Sequence, residues 1–161
     1  KKFTYYHKVF LNSNLSENDL KILSDKFSNM VVDGIVRADE VEGALWFLQK
    51  YQNECSFWVV SATPSKEINE IINRRNIAEY FIKIYGSPDN KSSIVKTIIN
   101  ENKLINNETV FIGDAMTDYI AAKNNNINFI LRKTDENKCV FKLYPEIISF
   151  KNFQELVSKI K

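Results

Sequence analysis

The fold is decided by residues 109–123, which read TVFIGDAMTDYIAAK. Residues 109–112 are mostly β-branched or aromatic, and such residues favour a short buried strand. Gly113 and Asp114 end that strand, because glycine and aspartate interrupt regular structure, and we expect a helix over residues 116–124. A strand that leads directly into a helix is the unit of a parallel sheet covered by helices.

The same alternation of strands and helices continues on both sides of this stretch. Apolar runs bounded by turn residues predict the strands, and apolar positions at helical spacing predict the helices. Together they predict an α/β protein in which ligands bind beyond the carboxyl ends of the strands. In chain order we expect a strand at 57–60, a helix from Pro64, a strand at 81–85, a helix at 91–102, strands at 127–131 and 147–150, and a last helix from Asn152.

Residues 1–40 differ from the rest, because their pattern is helical without strands. Apolar side chains recur at helical spacing along one face, and Ser16 followed by Asp19 is a start signal for that helix. A second helix is expected over residues 41–51. The residues assigned to the apolar face of the first helix are Leu20, Leu23, Phe27, Met30 and Val31.

The composition limits the classes of function. The chain has 161 residues, of which 44% are hydrophobic and 26% charged, with a net charge of +2. This length fits one domain, and a nearly balanced charge gives no reason to expect nucleic acid or membrane as a partner. The two cysteines, Cys55 and Cys139, are far apart and are expected to be free thiols. No run of about 18 apolar residues is found, so the cytoplasm is the expected location.

Two carboxylates, Asp114 and Asp118, stand where the predicted strand gives way to the helix. Their spacing places them close together at the edge of the sheet. Carboxylate oxygens suit a hard cation, and Mg²⁺ usually takes about one or two carboxylates together with waters and phosphate oxygens. An aspartate also caps a helix well, so the pair alone leaves a purely structural role open.

Ser61 and Lys91 lie at two other predicted junctions between a strand and a helix. The Ser61 hydroxyl and the free N–H groups of the following helix could hold a phosphoryl group. Lys91 opens a helix, where a cation opposes the helix dipole, so helix propensity does not explain its position. An ammonium group there would neutralise phosphate charge. Taken singly, a turn serine and a solvated surface lysine explain these residues as well.

The order of these motifs resembles the haloacid dehalogenase-like (HAD) hydrolase superfamily. Ser61 looks like the second motif of that family, and Lys91 looks like its third. The stretch GDAMTD at 113–118 looks like its fourth motif. The resemblance covers about residues 41–132. It implies a Rossmann-like, three-layer parallel sheet.

The resemblance also implies roles for the site residues. Ser61 would hydrogen-bond the transferred phosphoryl group, helped by the N–H of Ala62. Lys91 would hold that group and the nucleophile by its charge. Asp114 would bind Mg²⁺ directly, and Asp118 would bind it directly, through a water, or through Lys91. The implied reaction is hydrolysis of a phosphate monoester through an aspartyl-phosphate.

The first motif of the family, Asp-x-Asp on the first strand, is missing from the sequence. Two stretches before Ser61 are candidates for this motif. MVVDG at 30–34 would put Val31 at the nucleophile position, and it fits a helix better; VFLNSN at 9–14 offers amides in place of carboxylates. We therefore expect the first strand upstream of Lys1, which is not an initiator methionine. In the family that strand separates the strands of the second and fourth motifs, so either another segment should fill its place or the sheet should be rearranged.

These observations lead to an expected domain organisation and function. Residues 1–40 are expected to be the last part of a helical cap, and residues 41–161 the α/β core without its first strand. The function expected is that of a Mg²⁺-dependent phosphatase for a small phosphorylated metabolite, inactive as this chain alone. The alternatives are a HAD phosphoglucomutase or dehalogenase, and a catalytically silent HAD-like domain for binding or assembly. A receiver-type phosphorelay domain is disfavoured by the order of Lys91, Asp114 and Asp118.

Overall fold

The structure is a computed structural model that describes residues 2–160. After three amino-terminal helices, strands and helices alternate. The α-helices are α1 (Lys2–Phe10), α2 (Glu17–Arg37), α3 (Ala44–Tyr51), α4 (Ser65–Arg74), α5 (Lys91–Asn102), α6 (Met116–Asn124) and α7 (Phe153–Lys159). The strands are β1 (Trp58–Pro64), β2 (Lys83–Ser87), β3 (Val110–Gly113), β4 (Asn128–Arg132) and β5 (Ser149–Phe150). The predicted α/β class is confirmed.

All strand pairs are parallel, but they form two separate sheets. β1 pairs with β2, and β4 lies between β3 and β5. The register of β3 and β4 runs from Val110 opposite Asn128 to Gly113 opposite Leu131, so both strands end at the same edge. Direct pairing of β1 with β3 would have contradicted the expectation that a further segment belongs between them. Such pairing is not observed within residues 2–160.

Helices connect the two sheets. α5 packs against β1 and against α6, while α6 packs against β3 and β4. These contacts connect β1 to β3 through α5 and α6, and within residues 2–160 no hydrogen bonds of a sheet join the two strands. Residues of both strands remain partly open to solvent: Val110 is 44% exposed, and Trp58 and Ser61 are half-buried.

The main core cluster lies between the larger sheet and the helices α3 and α7. Phe47 of α3, Ile130 of β4 and Leu156 of α7 belong to its buried residues. Phe57, directly before β1, and Ile112 of β3 pack against this cluster, so it also joins the two sheets. Because apolar burial is the main favourable contribution to folding, this cluster holds the strands whose ends carry the predicted site residues.

Arginine side chains join α2 to α4. Arg75, directly after α4, donates to backbone carbonyl oxygens at the end of α2, including that of Ala38 at 2.7 Å. The last C=O groups of a helix lack partners within the helix, so Arg75 satisfies them. Arg74 pairs with Asp33 at 2.7 Å, and this hydrogen bond raises the pKa of the Arg74 guanidinium. The stretch 30–34 therefore lies on a helix and not at the end of a strand.

The predicted apolar face of α2 is partly wrong. Ser16 caps the helix as predicted, its hydroxyl accepting the N–H of Asp19 at 3.1 Å. The most buried side chain, however, is Val32 at 2% exposed, whereas Phe27 is 57% and Met30 73% exposed. The neighbours of α2 are α1 and α4, and these two helices cover only part of the predicted face.

The strand boundaries differ from the predictions by a few residues. β1 continues through Ser61 and ends at Pro64, so Ser61 lies within the strand and not at its end. The pairing with β2 is irregular between Val60 and Pro64. Pro64 precedes α4, which begins at Ser65, and is not its first residue. By contrast, α5 and α6 have the predicted bounds.

Two further properties of the described chain bear on its chemistry. Cys55 and Cys139 are both exposed free thiols. Within residues 2–160, no helix has both the length and the apolar character that crossing a membrane requires.

Candidate active site

The centre of the candidate site is Asp118, a carboxylate in the first turn of α6 that is only 3% exposed. Its Oδ1 accepts a hydrogen bond from the Lys91 Nζ at 2.5 Å. Its Oδ2 accepts the backbone N–H groups of Asp114 at 3.2 Å and Ala115 at 3.0 Å. A buried carboxylate is tolerated when a cation and hydrogen-bond donors surround it, so these contacts account for the burial of Asp118.

Lys91 connects the two sheets through this pair. It is the first residue of α5, which packs on β1, and its ammonium group reaches Asp118 of α6, which packs on β3. Asn90 caps α5, its side chain accepting the N–H of Ser93 at 2.9 Å. The cap fixes the start of the helix, and it thereby helps to position Lys91. The Asp118 carboxylate offsets the unfavourable position of a cation at this end of the helix dipole.

Gly113 leaves the space that Asp118 occupies. A Cβ atom at position 113 would lie 2.5 Å from the Cβ, Cγ and Oδ2 atoms of Asp118. Real Cβ atoms essentially never approach another heavy atom within 3.0 Å. The glycine before Asp114 is therefore a packing requirement of the buried carboxylate.

Asp114 differs from Asp118 in being exposed. Its backbone N–H is held by the Asp118 Oδ2, and its backbone carbonyl accepts a hydrogen bond from the Asn137 side chain at 2.9 Å. Within residues 2–160, the hydrogen bonds of Asp114 all involve its backbone, which leaves its carboxylate oxygens open. Lys91, Asp114 and Asp118 thus form one connected cluster just beyond β3, with one open carboxylate.

Ser61 lies on the other sheet, within β1, and is half-buried. Its Oγ accepts the backbone N–H of Thr63 at 3.1 Å. Ala62, whose N–H is the second predicted phosphate donor, is exposed. In the part of the chain that the structure describes, no hydrogen bond links Ser61 to Lys91 or Asp118. The structure therefore places Ser61 and Ala62 in β1 and Lys91 at the start of α5.

An open cleft of about 460 Å³ lies beside Asp114, with Arg132 at the end of β4 in its wall. Among the described residues, the Arg132 Nε is buried without a hydrogen-bond partner. Glu136, also in the wall, accepts hydrogen bonds from its own backbone N–H and from Thr134, and these lower the pKa of its carboxyl group. The cleft thus combines a cation and an anion next to the open carboxylate.

Apart from Asp114, sequence reasoning missed the polar residues of this cleft, among them Asn137. It lies in the loop after β4 and is 9% exposed. Its side chain donates to the carbonyl of Asp114, which precedes it by 23 positions. Thr134, three positions before it, is the one local signal, because threonine and asparagine at such spacing bond to the backbone of turns. That signal indicates a turn, and it does not reveal the distant partner.

The residues present fit part of a magnesium site. Within residues 2–160, no group of at least three His, Cys, Asp or Glu side chains could hold a metal ion by itself. Asp114 supplies an open carboxylate, whereas both oxygens of Asp118 are already engaged. Mg²⁺ commonly binds through about one or two carboxylates, with waters and substrate phosphates completing its shell. One open carboxylate at the end of a strand is compatible with such a site.

Comparison with protein families gives one match over most of the chain. A family model described as haloacid dehalogenase-like hydrolase matches residues 4–132. This range begins in α1, runs through both sheets as far as the end of β4, and includes the predicted site residues. A comparison with curated proteins finds no match.

Several solved structures share the fold. A haloacid dehalogenase-like family hydrolase from Streptococcus pneumoniae has a TM-score of 0.70 at 15% identity, covering 91% of this chain and 72% of that one. A predicted phosphoglycolate phosphatase from Haemophilus somnus has a TM-score of 0.77 at 15% identity, with 98% and 74% covered. YfnB of Bacillus subtilis, assigned as a HAD hydrolase and solved bound to magnesium, has a TM-score of 0.74 at 15% identity, with 96% and 67% covered. Likeness at these identities shows the fold.

Proposed function

The chain belongs to the haloacid dehalogenase-like hydrolases, and from this premise we propose that it is part of a Mg²⁺-dependent phosphatase for a small phosphorylated metabolite. The observation that carries the proposal is the cluster of Lys91, Asp114 and Asp118 beyond β3. It sets a fixed cation beside an open carboxylate. Phosphoryl transfer needs both, because a metal ion must be held and the charge of the phosphoryl oxygens must be balanced.

Asp114 is the proposed direct ligand of the metal. When bound, Mg²⁺ supplies stabilisation of the negative charge that develops during phosphoryl transfer. Asp118 has a different proposed role, because its two oxygens already accept hydrogen bonds from Lys91 and from backbone N–H groups. It orients the Lys91 ammonium group and fixes the backbone of Asp114, and it is a positioning residue for both.

The phosphoryl group is proposed to lie between the two sheets. From the β3 side, the Lys91 ammonium group would balance its charge. From the β1 side, the Ser61 hydroxyl and the Ala62 N–H would donate hydrogen bonds to it. The Ser61 Oγ already accepts the N–H of Thr63, so its own proton remains available for donation to a phosphoryl oxygen.

The nucleophile is proposed to come from a strand outside the 161 residues, which contain no Asp-x-Asp. β1 and β3 are connected through α5 and α6, and they do not pair with each other within residues 2–160. Unpaired backbone groups are costly once buried, and a strand between β1 and β3 would satisfy groups on both edges. A carboxylate at the end of such a strand would lie between Ser61 and Asp114. Its attack on the phosphoryl group would break the bond to the ester oxygen, which takes a proton from the second aspartate of the motif and leaves as the alcohol, and water would then hydrolyse the aspartyl-phosphate.

The absence of Asp-x-Asp from the sequence also favours a second candidate function, a catalytically silent domain for binding or assembly. In that case the Lys91–Asp118 pair would hold the two sheets together without serving a reaction. A phosphoglucomutase or dehalogenase would use the same residues with another substrate. The cytoplasmic location and the division at residue 40 into cap and core stay predictions.

The test begins with the sequence that the gene encodes before Lys1. An Asp-x-Asp motif there predicts an enzyme, and we expect the whole encoded protein to release phosphate from a panel of phosphorylated metabolites only when Mg²⁺ is present. Asp114→Asn should abolish turnover, whereas Asp135→Asn, which changes an exposed carboxylate, should leave it intact. Absence of Asp-x-Asp, with no turnover, would favour the binding domain. Turnover by residues 1–161 alone would contradict the proposed source of the nucleophile.

A further inference from the structure

Asn137 uses its buried side chain to bind three backbone groups. The Nδ2 donates to the carbonyl oxygens of Asp114 at 2.9 Å and of Arg132 at 2.8 Å. The Oδ1 accepts the N–H of Thr134 at 2.8 Å. The residue is 9% exposed, so each of these bonds is largely shielded from water. Buried polar groups that are fully paired in this way make a structure locally rigid.

The two carbonyls that Asn137 binds lie at the ends of neighbouring strands. Arg132 is the last residue of β4, and Asp114 directly follows β3. The regular pairing of these strands stops at Gly113 opposite Leu131. The Asn137 side chain therefore links β3 to β4 one position beyond their last backbone pair, where the two strands would otherwise separate.

The contact with Asp114 has no role in closing the loop itself. The bonds to Arg132 and Thr134 are local, spanning 5 and 3 positions, and are sufficient for a turn. The bond to Asp114 spans 23 positions and reaches another strand. Because the Asp118 carboxylate holds the N–H of the same residue, the backbone of Asp114 is fixed from both sides.

We propose that Asn137 is a positioning residue that holds the Asp114 carboxylate in the direction required for a divalent cation. This inference rests on the proposed function of Asp114 as the metal ligand. Because the backbone of Asp114 is fixed, its side chain can adopt only a few rotamers. The side chain therefore loses less conformational entropy when the cation binds. Hydrogen bonds to the ligating groups themselves commonly change metal affinity by about 10–100-fold, and Asn137 acts one step further away, on the backbone of the ligand.

The inference is tested on the whole encoded protein with Mn²⁺ as the probe, by counting free Mn²⁺ with electron paramagnetic resonance. Asn137→Ala should weaken Mn²⁺ binding by about 10-fold. The matched control is Asn125→Ala, because the Asn125 side chain also donates to two backbone carbonyls, those of Ser92 and Ala121, away from Asp114. The control should lower thermal stability and leave Mn²⁺ affinity unchanged.

A second measurement uses the unchanged protein, so the result does not depend on whether a variant folds. In a Mg²⁺ titration of the unchanged protein followed by nuclear magnetic resonance, the side-chain amide protons of Asn137 should shift with the same midpoint as the Asp114 N–H. Those of Asn125 should not shift.

The outcomes separate the two proposals. Loss of Mn²⁺ binding in Asp114→Asn together with unchanged binding in Asn137→Ala would overturn the positioning role and leave the proposed function standing. Unchanged binding in Asp114→Asn, or no binding by the unchanged protein, would overturn both. Equal weakening in Asn137→Ala and Asn125→Ala would reduce Asn137 to a structural residue and contradict the inference.

Discussion

Asp114, directly after β3, and Ser61, within β1, are proposed site residues from the two sheets, and their surroundings differ. The backbone of Asp114 is held on both sides, at its N–H by Asp118 and at its carbonyl by Asn137. The side chain of Ser61 accepts a hydrogen bond from its near neighbour Thr63, in a strand whose pairing with β2 is irregular. The backbone of Asp114 is therefore fixed in part by a long-range side-chain contact, that of Asn137, whereas the observed contact of the Ser61 side chain is local.

The difference shows how the two halves obtain their geometry. On the β3 side, the buried Lys91–Asp118 pair and the packing at Gly113 are formed by the 161 residues themselves. On the β1 side, a strand edge stays unpaired within residues 2–160. We infer that the β3 side is organised in advance of substrate, while the geometry of the β1 side depends on what pairs with its edge.

Asp118→Asn should have the largest effect, because it breaks the contacts that organise the β3 side. The variant keeps the shape of the side chain but leaves the Lys91 ammonium group, whose side chain is 17% exposed, without its counter-charge. Breaking a buried ion pair by removing one partner costs about 3–5 kcal/mol. Lys91 retains some access to water, so we expect about 3 kcal/mol, measured as the free energy of unfolding in urea.

The control for this prediction is an ion pair at the surface. Asp135 pairs with Lys138 at 3.1 Å, and their side chains are 93% and 59% exposed. Asp135→Asn should change the free energy of unfolding by less than about 1 kcal/mol, because water screens exposed pairs. If Asp118→Asn costs no more than this control, the β3 side is not organised by the buried pair.

The variants Gly113→Ala and Gly86→Ala test how closely each of the two sheets is packed. A Cβ at Gly113 would meet the Asp118 side chain at 2.5 Å, and a Cβ at Gly86 would meet backbone atoms of Thr63 and Ser65 at about 2.6 Å. Overpacking of this kind usually costs about 1–3 kcal/mol. We expect both variants to lose stability in urea, and only Gly113→Ala to weaken Mn²⁺ binding, because only that variant displaces Asp118.

Gly34 provides the matched control for these substitutions. It lies within α2, and a Cβ there would meet no atom within 4 Å. Gly34→Ala should stabilise the protein by about 0.5–1 kcal/mol, since glycine is unfavourable inside a helix. Equal effects of Gly113→Ala and Gly86→Ala on Mn²⁺ binding would remove the proposed distinction between the two sheets.

The sequence predicted best those features that depend on neighbours along the chain. The bounds of α5 and α6 agree with the structure, because turn residues and helical spacing are local signals. The approach of Asp114 to Asp118 follows from the same local order, since a strand that turns directly into a helix brings the two positions together. The α/β class follows from the alternation of such units.

Features that depend on distant neighbours were wrong or missed. Phe27 and Met30 belong to an apolar pattern, yet they are exposed because α1 and α4 leave much of these side chains uncovered, although Phe27 contacts Phe3 of α1. Ser61 lies inside β1 because pairing with β2 extends the strand to Pro64. Asn137 was not found, because its partner lies 23 positions away and an asparagine in a loop has many possible partners. A periodic pattern identifies an element, and tertiary contacts decide what that element covers.

Ser61→Ala should have the smallest effect on stability. It removes one local hydrogen bond, to the N–H of Thr63, and such a bond contributes about 0.5–1.5 kcal/mol. Because Ser61 is half-buried, water can replace part of the lost bond, and we expect a value near 0.5 kcal/mol in urea. Ser65→Ala is the matched control, since the Ser65 hydroxyl also makes a single hydrogen bond, donated to the carbonyl of Ser87 at 3.2 Å.

The two serine variants should differ in activity rather than in stability. In the whole encoded protein, Ser61→Ala should lower phosphatase turnover strongly, because Ser61 is a proposed donor to the phosphoryl group, while Ser65→Ala should not. A loss of stability in Ser61→Ala as large as that in Asp118→Asn would mean that the β1 side is as firmly organised as the β3 side. The site would then be complete in its geometry without a further strand, and the need for a partner at the edge of β1 would disappear.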